Sequence, residues 1–321
     1  MGRLFGTNGV RGVVNRDLTL ELVQTLAASA GSILGAEIAV GRDGRVTSPM
    51  IRDAAVSGLL SVGCNVHDMG LLPTPTLQYM VKWLGLDGGV MVTASHNPPQ
   101  FNGLKVMAAD GVEVSRATEN RIEELYFKGG PEPAPWNMVG GVREVEATET
   151  YIEAVVSRVD RKLISSSGLK VALDTGNGVS SLVIPRVASR LGCGVYTVNA
   201  EIDGGFPGRG SEPTPENLDA LRGIIEATGA DMGIGLDGDG DRSIVMDEKG
   251  EAVWGDKSLS LITDWYLGGH PGETVVTSIS TSKGLEDVVS RHGGRVYWTR
   301  VGSVDVSRAM VENGYLLGGE E

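Results

Sequence analysis

Three segments of the chain share one order of hydrophobic and polar positions. Each begins with a short apolar run, passes through a glycine-containing loop into a stretch with helical spacing, and ends in a glycine turn and a second apolar run: residues 37–70, 169–200 and 274–302. The helix ends match most closely, as LLSVGCNV, VASRLGCGV and VVSRHGGRV. Glycine accepts the left-handed conformation that stops a helix. Strand–helix–strand units of this length predict parallel or mixed sheets with helices on their faces.

We therefore predict three related α/β domains. The first spans residues 1–150 and ends in an exposed connecting loop, GGPEPAPWNMVGG. A helix over 149–164 opens the second domain, 151–250, and the third, 251–321, begins after an EKG turn. The alternative explanation of the shared pattern is convergence of unrelated α/β units.

Composition and charge narrow the class of protein. The net charge of −13 argues against nucleic acid or an anionic membrane as a partner, because both are themselves negative. The two cysteines, Cys64 and Cys193, lack the spacing of a zinc site or a disulfide framework. The amino terminus has no signal-peptide run, and no window has the ~18 continuous apolar residues of a membrane span. We expect a cytoplasmic protein.

The segment 233-GIGLDGDGDRSIV-245 is the strongest candidate for chemistry. Asp237, Asp239 and Asp241 alternate with glycine directly after an apolar run that predicts a strand. Three carboxylates this close repel one another unless a cation lies between them, and oxygen ligands select a hard ion such as Mg²⁺. The alternative to a metal site is a solvent-exposed acidic turn without a bound ion.

Three other motifs overlap this segment. Its glycines spell G-x-G-x-x-G, but an extended run follows where a dinucleotide site needs a helix. Its acids resemble an EF-hand loop, but Arg242 stands where that loop requires glycine. A strand that ends in D-x-D also suits an aspartyl-phosphate phosphatase with Asp237 as the nucleophile, and this alternative stays open.

The segment 91-MVTASHNPPQFNGLKV-106 places Ser95 beside His96 after a predicted buried strand, GGVMV. Open α/β sheets bind their ligands at the carboxyl ends of strands. A serine held there can carry a phosphoryl group if cations surround it, and Arg11, Arg42 and Lys105 are candidate cations. Taken alone, Ser-His-Asn-Pro is equally typical of a turn. No acid at triad-like spacing supports a hydrolase triad.

Together, TASHNP, LDGDGDR, FGTNGVRG and the terminal GGEE resemble the α-D-phosphohexomutases in order and spacing over the whole chain. The resemblance implies three related α/β domains, with mixed, mostly parallel sheets, around a central cleft. It implies an enzyme that shifts a phosphoryl group between the 1- and 6-positions of a hexose phosphate, or of a hexosamine phosphate, through a bisphosphate. FGTNGVRG and 299-TRVGSVDV-306 are most similar to archaeal-type phosphoglucosamine mutases, with phosphomannomutases and phosphoglucomutases as near alternatives.

The resemblance also implies roles for particular residues. Ser95 would be the phosphoserine, and one Mg²⁺ per chain would be held by Ser95, Asp237, Asp239 and Asp241. The remaining catalytic candidates are Arg11, Lys105 and His96, and the substrate-binding candidates are Arg242, Gly302 and Glu320. Glucose or glucosamine 1,6-bisphosphate would be the activator, and a hexose or hexosamine phosphate the small-molecule partner.

One departure from the family bears on activity. In the family, the rest of domain 3 and a fourth domain that grips the distal phosphate follow the sugar loop, whereas here the sequence stops at GGEE. We expect a carboxyl-terminally truncated chain without the fourth domain and with poor mutase turnover, since remote binding energy positions the reacting group. A sugar-phosphate-binding fragment without turnover is the non-catalytic alternative.

Overall fold

The structure is a computed structural model that describes residues 4–320. It contains two compact units, one that ends at Glu251 and one that begins at Ala252. The first unit holds two sheets, and the second holds a smaller one.

The first sheet of the first unit contains six strands among the described residues. They are β1 (Val10–Val13), β2 (Glu37–Arg42), β3 (Asn65–Leu71), β4 (Gly88–Val92), β5 (Phe101–Ala108) and β6 (Val142–Glu144). Its helices are α1 (Leu20–Leu34), α2 (Ser48–Ser61), α3 (Thr74–Leu84) and α4 (Arg116–Phe127). The strand order is β1-β5-β4-β2-β3-β6. Strands β4, β2, β3 and β6 are parallel to their neighbours in this run, and β5 is antiparallel to both β4 and β1.

Both faces of this sheet are covered. On one face α1 and α2 bury Leu26, Ile51 and Leu59, and on the other α3 buries Leu77 and Val81. Strand β4 is buried along its whole length, as expected of a central strand with helices on both sides. Burial on both faces leaves the strand ends, and the loops that follow them, as the places for polar side chains.

The second sheet belongs to the same unit. Its strands within this unit are β7 (Lys170–Asp174), β8 (Gly194–Val198), β9 (Met232–Leu236) and β10 (Ser243–Met246), in the order β10-β9-β7-β8. The helices are α5 (Thr148–Val156), α6 (Arg161–Ser167), α7 (Ile184–Arg190) and α8 (Asp219–Thr228), with short 3₁₀ turns at Val179–Leu182 and Pro215–Asn217. Strands β9, β7 and β8 are parallel, and β10 returns antiparallel to β9.

The prediction of one helix over 149–164 is wrong. The chain forms α5 and then α6, with a break at residues 157–160. The cause is Asp160, whose side chain accepts a hydrogen bond from the Leu163 amide at 3.0 Å and so caps the start of α6. A side chain that caps a new helix competes with continuation of the preceding one.

The second unit contains a parallel three-stranded sheet. The elements of this unit are β11 (Ala252–Val253), α9 (Gly255–Gly269), β12 (Thr274–Ser278), α10 (Gly284–Arg291), β13 (Arg295–Thr299), α11 (Ser303–Asn313) and β14 (Leu317–Gly319). The sheet order is β13-β12-β14. Leu259, Leu267, Val275, Leu285 and Val289 form the core between α9, α10 and β12.

The three predicted strand–helix–strand units are therefore confirmed as β2-α2-β3, β7-α7-β8 and β12-α10-β13. The sheets are mixed and mostly parallel, with helices packed on them, as the sequence indicates. Within residues 4–320, no helix combines the length and the apolar character needed to cross a bilayer.

Candidate active site

Two loops from different sheets of the first unit meet at the ends of their strands. The serine loop (residues 93–100) follows β4, and the acidic loop (residues 237–242) follows β9. The Ser95 hydroxyl donates to Asp237 Oδ2 at 2.6 Å, although the two residues are 142 positions apart. Both residues are buried. The motifs singled out in the sequence therefore converge on one point.

Ser95 has an unusual backbone. Its φ of 51° lies in the left-handed region, which non-glycine residues seldom occupy. The Ser95 amide donates to Thr93 Oγ1 at 2.9 Å, which helps to hold this conformation. Conformations of this kind cost free energy, and they persist only where several surrounding contacts hold the residue in place. The serine is thus held in a fixed position at the end of a rigid strand.

The acidic loop brings its three carboxylates together. Oxygen atoms of Asp237, Asp239 and Asp241 all lie within 4.8 Å of one another. Asp237 Oδ1 accepts from the amides of Gly240 and Arg242, at 3.0 and 3.1 Å. Gly240 makes the turn possible with a φ of 74°. The tight geometry that the alternating glycines predict is therefore present.

Gly238 is required for a different reason. A Cβ at this position would lie 2.9 Å from the Ser95 carbonyl oxygen and 3.3 Å from the ring of Phe206. No larger residue fits there without moving one loop away from the other. The glycine thus allows the acidic loop to approach the serine loop closely.

Asp239 is held by two partners on the first sheet's side. The Thr74 hydroxyl, at the start of α3, donates to Asp239 Oδ2 at 2.6 Å. Lys105 Nζ on β5 donates to the same oxygen at 2.8 Å, and also to Asp241. Although burial opposes the ammonium form, these two carboxylates raise the pKa of Lys105. Burial likewise opposes ionisation of Asp239, but Lys105 and Thr74 hold its pKa below the usual value.

The donor set fits a divalent cation. Burial, together with Asp239 and Asp241, raises the pKa of Asp237 well above its usual value, which is the expected result when three carboxylates share one ammonium. Among the described residues, Asp239 Oδ1 is buried without a hydrogen-bond partner. An unpaired buried carboxylate oxygen is costly unless a cation binds it. Oxygen-only donors of this kind suit a hard ion.

The other catalytic candidates lie beside Ser95. His96 Nδ1 is 3.4 Å from Ser95 Oγ, and burial, reinforced by nearby arginines, lowers the pKa of His96 to about 4. Arg11 donates to Asn97 Oδ1 at 2.9 Å and to the Ala94 carbonyl at 3.2 Å, so it lies along the serine loop. Arg242 is exposed, 3.9 Å from Glu212.

The remaining substrate-binding candidates belong to the second unit. The Gly302 amide, which precedes α11, donates to Glu320 Oε1 at 2.6 Å. The two motifs TRVG and GGEE therefore meet at one end of the small sheet. The last residue of GGEE, Glu321, lies outside the described residues.

Asp43 and Arg45 were not identified from the sequence, which pointed instead to Arg42. Arg42 donates to the adjacent Asp43 carbonyl at 3.4 Å. Arg45 is 1% exposed and donates to the Ser95 carbonyl at 2.7 Å. The available signal was an aspartate and an arginine two residues apart just after a strand, a spacing that permits a local ion pair.

Known proteins share this arrangement of domains. The family profiles for phosphoglucomutase/phosphomannomutase α/β/α domains I, II and III match residues 2–132, 149–250 and 254–321. A phosphoglucomutase/phosphomannomutase of Thermococcus kodakarensis is 42% identical over 327 residues, which cover 100% of this chain and 72% of the relative. A phosphoglucosamine/phosphogalactosamine mutase of Sulfurisphaera tokodaii is also 42% identical, with the same coverage.

A solved structure agrees with these relatives. The crystal structure of a phosphoglucomutase/phosphomannomutase family protein from Burkholderia thailandensis superposes with a TM-score of 0.89 at 28% identity, covering 98% of this chain and 70% of that one. The fold and the sequence thus define an enzyme of the α-D-phosphohexomutase class. The chain belongs to the phosphoglucomutase/phosphomannomutase family.

Proposed function

We propose that the protein interconverts the 6-phosphate and 1-phosphate of a hexosamine or hexose through a phosphoserine at Ser95 and a sugar bisphosphate. The single observation that carries the proposal is the Ser95 hydroxyl, 2.6 Å from Asp237 in a cluster of carboxylates that also contacts Lys105. A hydroxyl there has a cation site beside it, and phosphoryl transfer depends mainly on positioning and charge neutralisation.

The proposed reaction consists of two phosphoryl transfers. In the first, the bond between Ser95 Oγ and phosphorus breaks, a bond from phosphorus to a sugar hydroxyl forms, and the sugar proton leaves as the serine oxygen gains one. The bisphosphate then reorients in the site, and the second transfer returns its other phosphoryl group to Ser95. Arg11 and Lys105 supply positive charge beside the transferring group. His96 Nδ1, 3.4 Å from Ser95 Oγ, lies close enough to assist proton transfer, but burial lowers the pKa of His96 to about 4 and makes it a weak base.

We propose one Mg²⁺ per chain, held by Asp237, Asp239, Asp241 and a Ser95 oxygen. Bound there, the ion would neutralise charge on the phosphoryl group. The buried, unpaired Asp239 Oδ1 supports this assignment. A 1,6-bisphosphate of glucose or glucosamine would load the serine at the start of the cycle.

We propose glucosamine phosphate as the preferred substrate, with mannose and glucose phosphates as the alternatives. The names of the relatives support a small-molecule sugar phosphate but include both hexose and hexosamine enzymes at 42% identity. The proposed sugar contacts are Arg242, Gly302 and Glu320. The division into domains 1–150, 151–250 and 251–321 and the cytoplasmic location stay predictions.

The test has two parts. Purified chain is incubated with Mg²⁺ and glucose 1,6-bisphosphate, and intact mass with peptide analysis locates the phosphate. Coupled assays then compare glucosamine, mannose and glucose phosphates. We expect phosphate on Ser95, and no acquired phosphate in Ser95→Ala. Ser29→Ala is the matched control, because Ser29 is also a buried serine, and its hydroxyl donates to the Thr25 carbonyl inside α1. Phosphate found elsewhere, with Ser95 unmodified, would contradict the proposal.

The same experiment separates the alternatives. An aspartyl-phosphate phosphatase would carry phosphate on Asp237, as an acyl phosphate that hydroxylamine cleaves, and would keep its activity in Ser95→Ala. In the structure both oxygens of Asp237 accept hydrogen bonds, from Ser95 and from backbone amides, which does not favour it as the nucleophile. A non-catalytic binding fragment would bind sugar phosphate in calorimetry but acquire no phosphate.

A further inference from the structure

We propose that Arg45 is a positioning residue for phosphoryl transfer, because it fixes the backbone of the serine loop and so aims Ser95. The proposal rests on the proposed function of Ser95. Arg45 lies outside the carboxylate cluster, and its guanidinium contacts the loop's main chain instead of the reacting groups. Its role is to hold the loop in its left-handed turn at Ser95.

Three of the five hydrogen bonds that the Arg45 side chain donates go to the serine loop. Arg45 is fully buried, and its side chain donates to four carbonyls at the ends of β4 and β5 and to one carboxylate. These are Ser95 (2.7 Å), Asn97 (2.7 Å), Pro98 (2.8 Å), Phe101 (3.1 Å) and Asp43 Oδ2 (3.0 Å). One side chain thus ties together carbonyls from the serine loop and from the start of β5. Only a planar group with five N–H donors reaches so many acceptors at once.

A second path of hydrogen bonds joins the same arginine to the Ser95 amide. Asp43 pairs with Arg45 and also accepts from the hydroxyls of Ser48 and Thr93, at 2.5 and 2.7 Å. Thr93 Oγ1 in turn accepts from the Ser95 amide. The Ser95 peptide is therefore held at its nitrogen through Thr93 and at its carbonyl directly by Arg45.

The second sheet closes this arrangement from the other side. The Phe206 ring centroid lies 5.0 Å from the Arg45 guanidinium carbon, within cation–π range. The Ser211 hydroxyl lies 2.7 and 2.8 Å from two carbonyls of the serine loop, and the Ser211 carbonyl accepts from the Gly238 amide at 3.0 Å. Ser211 thus links the serine loop to the acidic loop. Arg45 and Ser211 together set the position of Ser95 relative to the carboxylates.

Positioning of this kind has a kinetic consequence. A displacement of the reacting oxygen by about 1 Å costs roughly 100-fold in rate. Lysine in place of Arg45 keeps the charge near Asp43, but its single ammonium satisfies fewer carbonyls and lacks the planar guanidinium that lies over Phe206. We therefore expect the loop to relax away from the left-handed conformation, with the anion-binding groups Arg11 and Lys105 still present.

The test is the half-reaction, in which the phosphoryl–sugar bond of glucose 1,6-bisphosphate breaks, a bond to Ser95 Oγ forms, and the serine proton passes to the sugar oxygen. Its rate is measured by intact mass with Mg²⁺ present and is normalised to the folded fraction. We expect Arg45→Lys to lower the maximal rate about 100-fold, and Ser211→Ala about tenfold, with half-saturating bisphosphate within about twofold of the starting protein.

Two matched controls accompany these variants. Arg52→Lys alters an arginine that binds Asp53 and Asp68 away from the loop, and Ser29→Ala removes a buried hydroxyl within α1. Both should react at the unmodified rate. Should Arg45→Lys fail to fold, Ser211→Ala decides the question.

Unchanged rates per folded chain in Arg45→Lys and Ser211→Ala would overturn the inference and leave the proposed function intact. An unmodified protein that acquires no phosphate on Ser95 would instead overturn the proposed function, and the inference with it.

Discussion

Lys105 Nζ lies 2.8 Å from Asp239 Oδ2, and both side chains are completely buried although they are 134 residues apart in the sequence. The ammonium group belongs to β5 of the first sheet, and the carboxylate belongs to the acidic loop that follows β9 of the second sheet. A buried ion pair gains little net stability, but removal of one partner leaves an uncompensated charge. Substitution of one partner should therefore change the free energy of unfolding by a measurable amount.

Lys105→Met should lower the free energy of unfolding of metal-free protein by about 3–5 kcal/mol, since the carboxylates lose their one ammonium. Saturating Mg²⁺ should recover part of that loss, because the ion supplies the missing positive charge. Urea denaturation with and without MgCl₂ measures both effects. The exposed residue Lys82, changed to Met, is the control. An equal loss with and without Mg²⁺ would show that no ion binds these carboxylates.

Asp239→Asn should weaken Mg²⁺ binding by at least about tenfold, since even outer-shell changes at metal sites cost about 10–100-fold. The substitution keeps the shape of the side chain and removes the charge beside the buried, unpaired Oδ1. Isothermal titration calorimetry gives the affinity directly. Asp53→Asn, at a side chain that is 69% exposed, should leave it unchanged. An unaltered affinity in Asp239→Asn would exclude the acidic loop as the metal site.

Gly238→Ala should separate the two loops. The added Cβ would meet the Ser95 carbonyl oxygen at 2.9 Å, so we expect destabilisation of about 1–3 kcal/mol and slower phosphorylation of Ser95. Gly268→Ala in α9 is the matched control, because its Cβ would meet nothing within 4 Å. That change should stabilise the helix by about 0.5–1 kcal/mol. Thermal unfolding and the half-reaction check both variants, and normal phosphorylation in Gly238→Ala would refute the close-contact argument.

Glu113 should make stability depend on pH in metal-free buffer. Burial raises the pKa of Glu113 from 4.5 to about 7, with Lys105 opposing the shift. The other charges that act on it are Arg11, Asp239 and Asp241. Between pH 4.5 and about 7 the folded chain keeps a proton that the unfolded chain has lost, so the free energy of unfolding falls as pH rises through that window.

The total effect of this group is on the order of 3 kcal/mol and is constant above the window. Glu113→Gln removes it, so the difference in unfolding free energy between the variant and the unmodified protein should grow from pH 4.5 to 7. Urea titrations at a series of pH values give this difference. A difference independent of pH would mean that Glu113 ionises normally in the folded chain.

The convergence of Ser95 with the acidic loop could be anticipated from the sequence, because both positions follow from chain periodicity. Ser95 and Asp237 each come directly after an apolar run, and both runs are strands, β4 and β9. Glycine spacing around Asp239 indicated a tight loop, which the positive φ of Gly240 confirms. These features are local, so they are visible without knowledge of tertiary contacts.

The choice between Arg42 and Arg45 was not visible in the same way. Arg45 is buried by residues far along the chain, the serine loop 50 residues on and the Phe206 ring. Thr74 likewise binds Asp239 across 165 residues. The break between α5 and α6 was missed for a different reason, since Asp160 is as compatible with a helix surface as with a cap. In each case the deciding partner comes from tertiary structure or from a competing hydrogen bond.

The buried ammonium and the buried carboxylates come from different sheets, and this limits which chimeras of related chains can fold. Lys105 comes with the first sheet, and the carboxylates of Asp237, Asp239 and Asp241 come with the second. A chimera with a crossover between residues 105 and 237 inherits the ammonium from one parent and the acids from the other. If either parent lacks its part, the hybrid buries unbalanced charge at the join of the two sheets. The acidic loop therefore cannot be transferred to another protein alone. A functional graft must include strand β5, which carries Lys105.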